Sequence, residues 1–297
     1  MKLINKDKIN IVGKRTVFFI IALVFILASV VSFIVKGFNL DTDFVGGTTF
    51  EFTLDKDATD DDLKTVEDTI RSTVDVSGNI NMQVSNGNVI IAKIADLSSD
   101  STSDIKSAVS EKLGISEETV NTDFIGGVIA GETTRSLIIA VTIAILLMLL
   151  YITIRFKITT GLSAIICLAH DVIIVLGFYS IFSIPVNSTL IACLLTILGY
   201  SINATIIIFD RVRENVKREP KTPYSQIVNT SVTQTLNRSI NTTITTFLTI
   251  GMIYILGSAS IKEFALPIMV GLLAGLFSSV FLAGSISTLF VKDKAKA

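Results

Sequence analysis

Six long apolar runs, at 17–35, 136–154, 161–184, 188–209, 241–256 and 264–291, constrain this chain more than any other feature. Each approaches or exceeds the about 20 residues that cross roughly 30 Å of hydrocarbon, so a single anchored globule is excluded. With 50% hydrophobic and 17% charged residues and a mean hydropathy of +0.66, most of the chain belongs in lipid. The expected fold is an α-helical polytopic membrane protein with six transmembrane helices. The fifth run is the weakest, because Asn241, Thr242, Thr243, Thr245 and Thr246 lower its hydropathy; its helix is expected to start earlier, within 232–240. Basic residues precede the first run as in a signal peptide, but no clear small-x-small cleavage site follows, so the run reads as a retained anchor.

The distribution of Lys and Arg sets the expected topology. Segments 1–16, 155–160, 210–240 and 292–297 hold 16 of the 25 basic residues, which puts both termini on the cytoplasmic side. Segment 36–132 instead holds 7 basic and 19 acidic residues and reads as an outward-facing, water-soluble domain. The chain then divides into a cytoplasmic N-terminus 1–16, a first span 17–35, an extracytoplasmic α+β domain 36–135, spans two to six within 136–291 with a cytoplasmic loop at 210–240, and a cytoplasmic C-terminus 292–297. A net charge of −1 gives no reason to expect a nucleic-acid partner.

Within the outer segment, alternation over 48–54 predicts a strand, and Leu63, Val66 and Ile70 at helical spacing after Thr59 predict a helix over 59–73. Residues 79–84 and 88–94 read as a hairpin across Asn86-Gly87, since an Asn-Gly pair tolerates the positive φ of a tight turn. A second helix over 103–113 ends at Gly114, and 119–125 is the last strand. The order β-α-β-β-α-β suggests a small α+β ferredoxin-like domain between helices 1 and 2, a fold that assigns no function by itself.

Enzyme signatures are missing. A lone His170 cannot build a multi-His zinc site, and the sequence holds no H-E-x-x-H, G-x-x-x-x-G-K-[ST] or G-x-S-x-G, so neither catalysis nor a metal or other cofactor is expected. Cys167 and Cys193 both fall in spans and read as small packing residues without a disulfide. The informative residues are ionisable ones in expensive places. Asp171 and His170 lie near the middle of the third span, where a charge costs roughly 2.5–3.5 kcal/mol and therefore faces protein or water. Arg238 stands at the cytoplasmic entrance of the fifth span. A fixed pair of Asp171 with Arg238 or His170 would hold helices together; a carboxylate with movable partners would bind and release a proton. Both readings stay open.

The phrase D-F-[VI]-G-G occurs at 43–47 and again at 123–127, bracketing the outer segment. Asp43, Gly46, Gly47, Gly126 and Gly127 form either tight turns or a hinge on which the domain tilts. Gly271, Ala274, Gly275 and Ser278 give the sixth span small-residue faces, expected for plain helix packing rather than a gate. The charged run 210–218, stopped by Pro220 and Pro223, reads as a solvated helix end in preference to a docking surface for a partner or anionic lipid.

Four stretches, DFVGGT at 43–48, AHDVIIVLGFYSIF at 169–182, LGYSINATIIIFDRVREN at 198–215 and TLNRSINTTITT at 235–246, together resemble the SecF family, the membrane subunit of bacterial protein export that works with SecD. The resemblance covers nearly the whole chain. It implies half of a transporter of the resistance-nodulation-division type in the bacterial plasma membrane, with SecD, the SecYEG channel, translocating preprotein and membrane lipid as partners. It further implies that proton flow, or in some members sodium flow, moves an outer domain that engages preprotein. On this view Asp171, His170, Arg238, Asn203, Ser201 and Thr205 carry ion coupling. The chain departs from the family at one position: the phrase G-Y-S-x-N-D-[ST] has Ala204 where the family has Asp. Either Asp171 takes that role, or SecD supplies the acid, or coupling is weak or uses another ion through the Ser201, Asn203 and Thr205 oxygens. A path shared between Asp171 and the partner is preferred. The rival readings are a passive assembly subunit and half of a small-molecule efflux transporter.

Overall fold

A computed structural model describes residues 10–75, 80–85, 87–95, 97 and 101–291, with the side chains of 259 and 260 excepted. Asn79, Asn86 and segments 1–9 and 292–297, for which a strand, a turn and cytoplasmic termini are expected, lie outside the described residues. Helix α1 (Arg15–Lys36) exposes apolar side chains over most of its circumference, as a lipid-facing helix must, and ends where Gly37 takes φ 69°. Strand β1 (Asn39–Leu40) and the single turn α2 (Thr42–Val45) lead from it into a compact α+β module.

The module follows the sequence pattern closely. After β2 (Gly47–Thr53), helix α3 (Asp60–Thr73) opens on a capping box in which Thr59 Oγ1 accepts from the Asp62 amide at 3.3 Å while Asp62 Oδ2 accepts from the Thr59 amide at 3.0 Å. Hydrogen bonds from Thr59, then from Lys56, hold the Asp62 carboxyl down to about 2. Strands β3 (Ile80–Ser85) and β4 (Val89–Ala95) pair antiparallel across a turn containing Gly87 at φ 84°. Helix α4 (Thr102–Leu113) stops at Gly114, which takes the left-handed conformation that other residues resist, and β5 (Val120–Ile125) completes a sheet of order β3-β4-β2-β5, antiparallel throughout. Phe50 and Phe52 sit on one face of β2 and bury against Val66 and Ile70 of α3 and Ile105 and Val109 of α4, forming a core separate from that of the bundle.

Among the described residues six helices are long and apolar enough to cross a membrane, as expected, and their ends differ from those of the apolar runs. Helix α5 (Gly127–Arg155) begins well ahead of the run at 136, directly out of β5. Helix α6 (Ile158–Phe182) follows, then strand β6 (Pro185–Val186), which pairs in parallel with β1, then α7 (Ser188–Arg218). Helix α8 (Tyr224–Leu256) starts after Pro223, earlier than the 232–240 expected, because its first two turns are polar yet pack through Ile227, Val228 and Ser231. The sixth span is not one regular helix. Helix α9 (Ala259–Phe277) contains Pro267 and passes through a π-helical segment, Ser278–Ala283, before α10 (Gly284–Phe290). Helices α6, α7 and the sixth span form the buried centre; α1, α5 and α8 lie outside it.

Candidate functional site

Asp171 is fully buried at the centre of the bundle, where α6, α7 and the π segment meet. Its Oδ1 lies 2.9 Å from His170 Nδ1, and its Oδ2 accepts from Ser201 Oγ at 2.5 Å and Ser278 Oγ at 2.8 Å. Both serines are fully buried. Two hydroxyls thus donate to one carboxylate oxygen while a ring nitrogen of His170 faces the other. A proton arriving on Oδ2 would turn that oxygen into a donor, and one serine would have to rotate to accept from it. His170 also lines an apolar cavity of about 570 Å³ between α1, α6 and α9, together with Phe25, Ser29 and Phe277.

Arg238 does not join this cluster. Of the two pairings left open for Asp171, the structure contains the one with His170, and Arg238 is excluded because α8 turns it outward. Among the described residues the Arg238 guanidinium has neither an ion-pair nor a hydrogen-bond partner. It belongs instead to a polar strip on the bundle surface. Hydrogen bonds from Tyr200 to Thr243 at 3.0 Å and from Arg211 to Gln234 at 2.5 Å align α7 with α8, so exposed Asn203 stands level with exposed Arg238, Asn241 and Thr242. Tyr200 neighbours Ser201, which places the strip at the depth of Asp171. Thr205 is buried and Ala204 half-buried. The Thr242 and Thr245 hydroxyls bond back to carbonyls of their own helix, to Arg238 at 2.9 Å and to Asn241 at 3.0 Å, which makes a Thr-rich span tolerable in lipid.

The two Gly-Gly phrases meet in one joint. Gly47 pairs with Ile125, and a Cβ on Gly46 would stand 2.9 Å from the Ile125 carbonyl oxygen and 3.1 Å from the Gly127 nitrogen, so only glycine fits there. Positive φ explains the first phrase alone, at Gly46 (80°) and Gly47 (134°); Gly126 has φ −65° and Gly127 opens α5, since the second phrase ends a strand and starts a helix. Asp43 Oδ2 accepts from the Ser188 amide at 2.9 Å and from Ser188 Oγ at 2.6 Å, at the first residue of α7. Close by, buried Asp41 bonds Lys93 at 2.8 Å. Burial pushes the Lys93 ammonium down, but the Asp41 hydrogen bond and charge, aided by Glu263 and Asp43, leave it raised.

Sequence reasoning pointed to Asp171, His170 and Ser201, which the structure brings together, and to Asn203 and Arg238, which it places on a separate surface. It missed Ser278 as a partner of Asp171. The small-residue pattern that includes Ser278 is real packing: a Cβ on Gly271 would lie 2.4 Å from Ile197 Cδ1, and one on Gly275 would lie 3.2 Å from Ser201 Cβ. Ser278 opens the π segment and bonds the carboxylate from there, and no sequence signal announced that segment.

Residues 105–293 match the family model described as protein export membrane protein SecD/SecF, C-terminal. Protein translocase subunit SecF of Petrotoga mobilis is 38% identical over 97% of this chain and 98% of its own. That of Sebaldella termitidis is 34% identical over 96% of this chain and 93% of its own. The crystal structure of SecDF, a translocon-associated membrane protein from Thermus thermophilus, superposes with a TM-score of 0.81 at 31% identity. That match covers 95% of this chain and 38% of the longer SecDF chain.

Proposed function

The chain belongs to the SecF family of protein translocase subunits, and from that membership we propose that it pairs with a SecD chain and uses an ion gradient to draw preprotein outward through the SecYEG channel. The observation that carries the pairing is the outward-facing strip of Asn203, Arg238 and Asn241 on the apolar spans, near the level of Ser201. A lone cation facing hydrocarbon is costly, so a second membrane protein presenting acceptors, and an acid for Arg238, has to cover it. The fused SecDF relative, of which this chain spans 36% to 38%, supports the same pairing. The excess of basic residues at the termini and the 210–240 loop favours cytoplasmic termini in a bacterial plasma membrane, with the acidic module outside. The module's strand order of β3-β4-β2-β5 with both long helices on one face supports the ferredoxin-like reading.

Asp171 is the ion-carrying group in this reading. Ala204 removes an acid from α7, and the route runs through Asp171, His170, Ser201 and Ser278 to a carboxylate on the partner opposite Arg238. One charge crossing 100 mV releases about 2.3 kcal/mol, which drives tilting of the module about the Gly46-Gly47 joint; no enzymatic step or cofactor is invoked. Completion of preprotein translocation in energised vesicles tests this. With the chain and its partner present, completion should depend on the gradient, and Asp171→Asn should reduce it about tenfold, within the usual span of coupling free energies. Completion indifferent to collapse of the gradient would sink the reading. The passive-assembly alternative, which Ala204 favours, expects Asp171→Asn and Arg238→Ala both to be silent in that assay.

A further inference from the structure

The two hydroxyls that bind Asp171 sit on two helices whose outer ends hold the α+β module. On α7, Ser201 bonds Asp171, and about 20 Å along the axis Ser188 is held by Asp43 of the module's leading phrase. On the sixth span, Ser278 bonds Asp171, and at the opposite end of α9 Glu263 accepts from Gln83 of β3. Glu263 also accepts from Asn187 Nδ2 at 2.6 Å. This explains an oddity at the start of α7. Asn187 occupies the N-cap position but makes no capping bond, because its side chain is turned to Glu263; the first amide is capped instead by a carboxylate from another part of the chain, Asp43. A helix N-terminus favours a negative partner, so the module is fastened to α7 by an interaction that moves with that helix.

Helix α6 carries Asp171 itself and is tied separately. Ser180 Oγ bonds the Gly37 carbonyl at 3.0 Å, Lys36 bonds the Ile181 carbonyl at 2.9 Å, and Asn39 bonds the Ser183 carbonyl at 3.1 Å. The module thus rests on α6 with α1 on one side and on α7 with α9 on the other, and it runs directly into α5 at the Gly46-Gly127 contact. Asp171 bridges α6 to α7 and to the sixth span, beside the contact of Cys167 Sγ with the Ser278 carbonyl, through hydroxyls whose arrangement must change if it gains or loses charge.

We propose that Asp43 and Glu263 are positioning residues through which α7 and α9 carry the charge state of Asp171 to the outer module. The proposal rests on the ion-driven reading above and names its mechanical link. Asp171 shifts α7 and α9 against α6, and the two outer carboxylates convert that shift into a tilt of the module on its Gly46-Gly47 joint. Neither Asp43 nor Glu263 carries the ion; both keep helix and module in step.

The experiment uses the full chain with its partner in lipid vesicles, spin-labelled at Lys64→Cys on α3 and Lys157→Cys at the base of α6, two exposed positions, while Cys167 and Cys193 stay buried and unlabelled. Asp171→Asn should move the distance between labels, and adding Asp43→Ala with Glu263→Gln should abolish that movement. In the same vesicles the double variant should lower preprotein completion about tenfold while ion flux stays within about twofold, the signature of uncoupling. Ser188→Ala removes the hydroxyl bond alone and should give an intermediate loss, which guards against a double variant that fails to fold. A label movement that persists in full without Asp43 and Glu263 overturns the link, as does an equal fall of flux and export. If export proves independent of the gradient, the ion reading fails by itself; the link then stands or falls on whether the label movement caused by Asp171→Asn still requires Asp43 and Glu263.

Discussion

Two polar groups of side chains share one depth in this bundle and are built in opposite ways. The cluster around Asp171 is closed: every partner comes from this chain, and both serines and the carboxylate are out of contact with solvent or lipid. The strip of Asn203, Arg238 and Asn241 is open, with exposed side chains on adjacent faces of α7 and α8. A closed cluster is part of how the isolated chain folds. An open one within the spans is destabilising in lipid until something covers it. Helix α7 belongs to both, through Ser201 on one face and Asn203 on another, so a partner pressing on the strip also presses on the helix that holds the carboxylate.

The comparison breaks most sharply at Asp171. Replacing it with Ala takes the carboxylate from two buried hydroxyls and a buried ring, leaving Ser278 only the Gly275 carbonyl at 3.3 Å, and we expect the isolated chain to lose about 3 kcal/mol of stability. Thermal unfolding in detergent should show this without any partner present; an unchanged midpoint would mean that the cluster is not structural. Ser278→Ala removes one donor to the same oxygen and should cost about 2 kcal/mol, as expected for a hydrogen bond to a charged group. If the π segment merely relaxes and Ser278 contributes nothing, Ser278→Ala will match the wild type while Ser201→Ala does not. Arg238→Ala should behave the other way round. The isolated chain should change by no more than about 0.5 kcal/mol, because the guanidinium has no partner there, whereas co-purification with SecD should weaken about tenfold, or about 1.4 kcal/mol. Equal loss in the free chain and in the complex would contradict the open character of the strip.

How much of this was legible in the sequence follows the same division. Period and caps announced the module: Thr59, Gly114, and the alternation through Phe50 and Phe52 act over a few residues and leave a local trace. The six spans were legible for the same reason, but their ends were not. Helix α8 extends back to Tyr224 because tertiary packing of Ile227 and Val228 overrides a polar composition, which no hydropathy window registers. Asp171 was legible as a costly residue, but its partner Ser278 was not, since a π segment is fixed by how three spans pack. Arg238 was read as a candidate for pairing with Asp171 because sequence shows neither the rotation of α8 nor which face a helix turns outward. The Gly-Gly phrases were visible as a repeat, while the fact that they pack against each other depends on β2 and β5 being neighbours in the sheet.

The smallest expected effect concerns the threonines beside the strip, and it decides what kind of polarity the strip requires. Thr242 and Thr245 are as exposed as Arg238, so a partner that reads general polarity would sense their loss. Their hydroxyls, however, are spent on carbonyls of α8, at 2.9 Å to Arg238 and 3.0 Å to Asn241, and offer little to a neighbouring helix beyond shape. Thr242→Val and Thr245→Val keep that shape. We expect each to change the stability of the free chain by no more than about 0.5 kcal/mol and to leave SecD association within about twofold, even when combined. A marked loss of association in the double variant would show that the hydroxyls turn outward in the complex, and the open surface would then extend along the whole exposed face of α8 rather than being centred on one guanidinium and two amides.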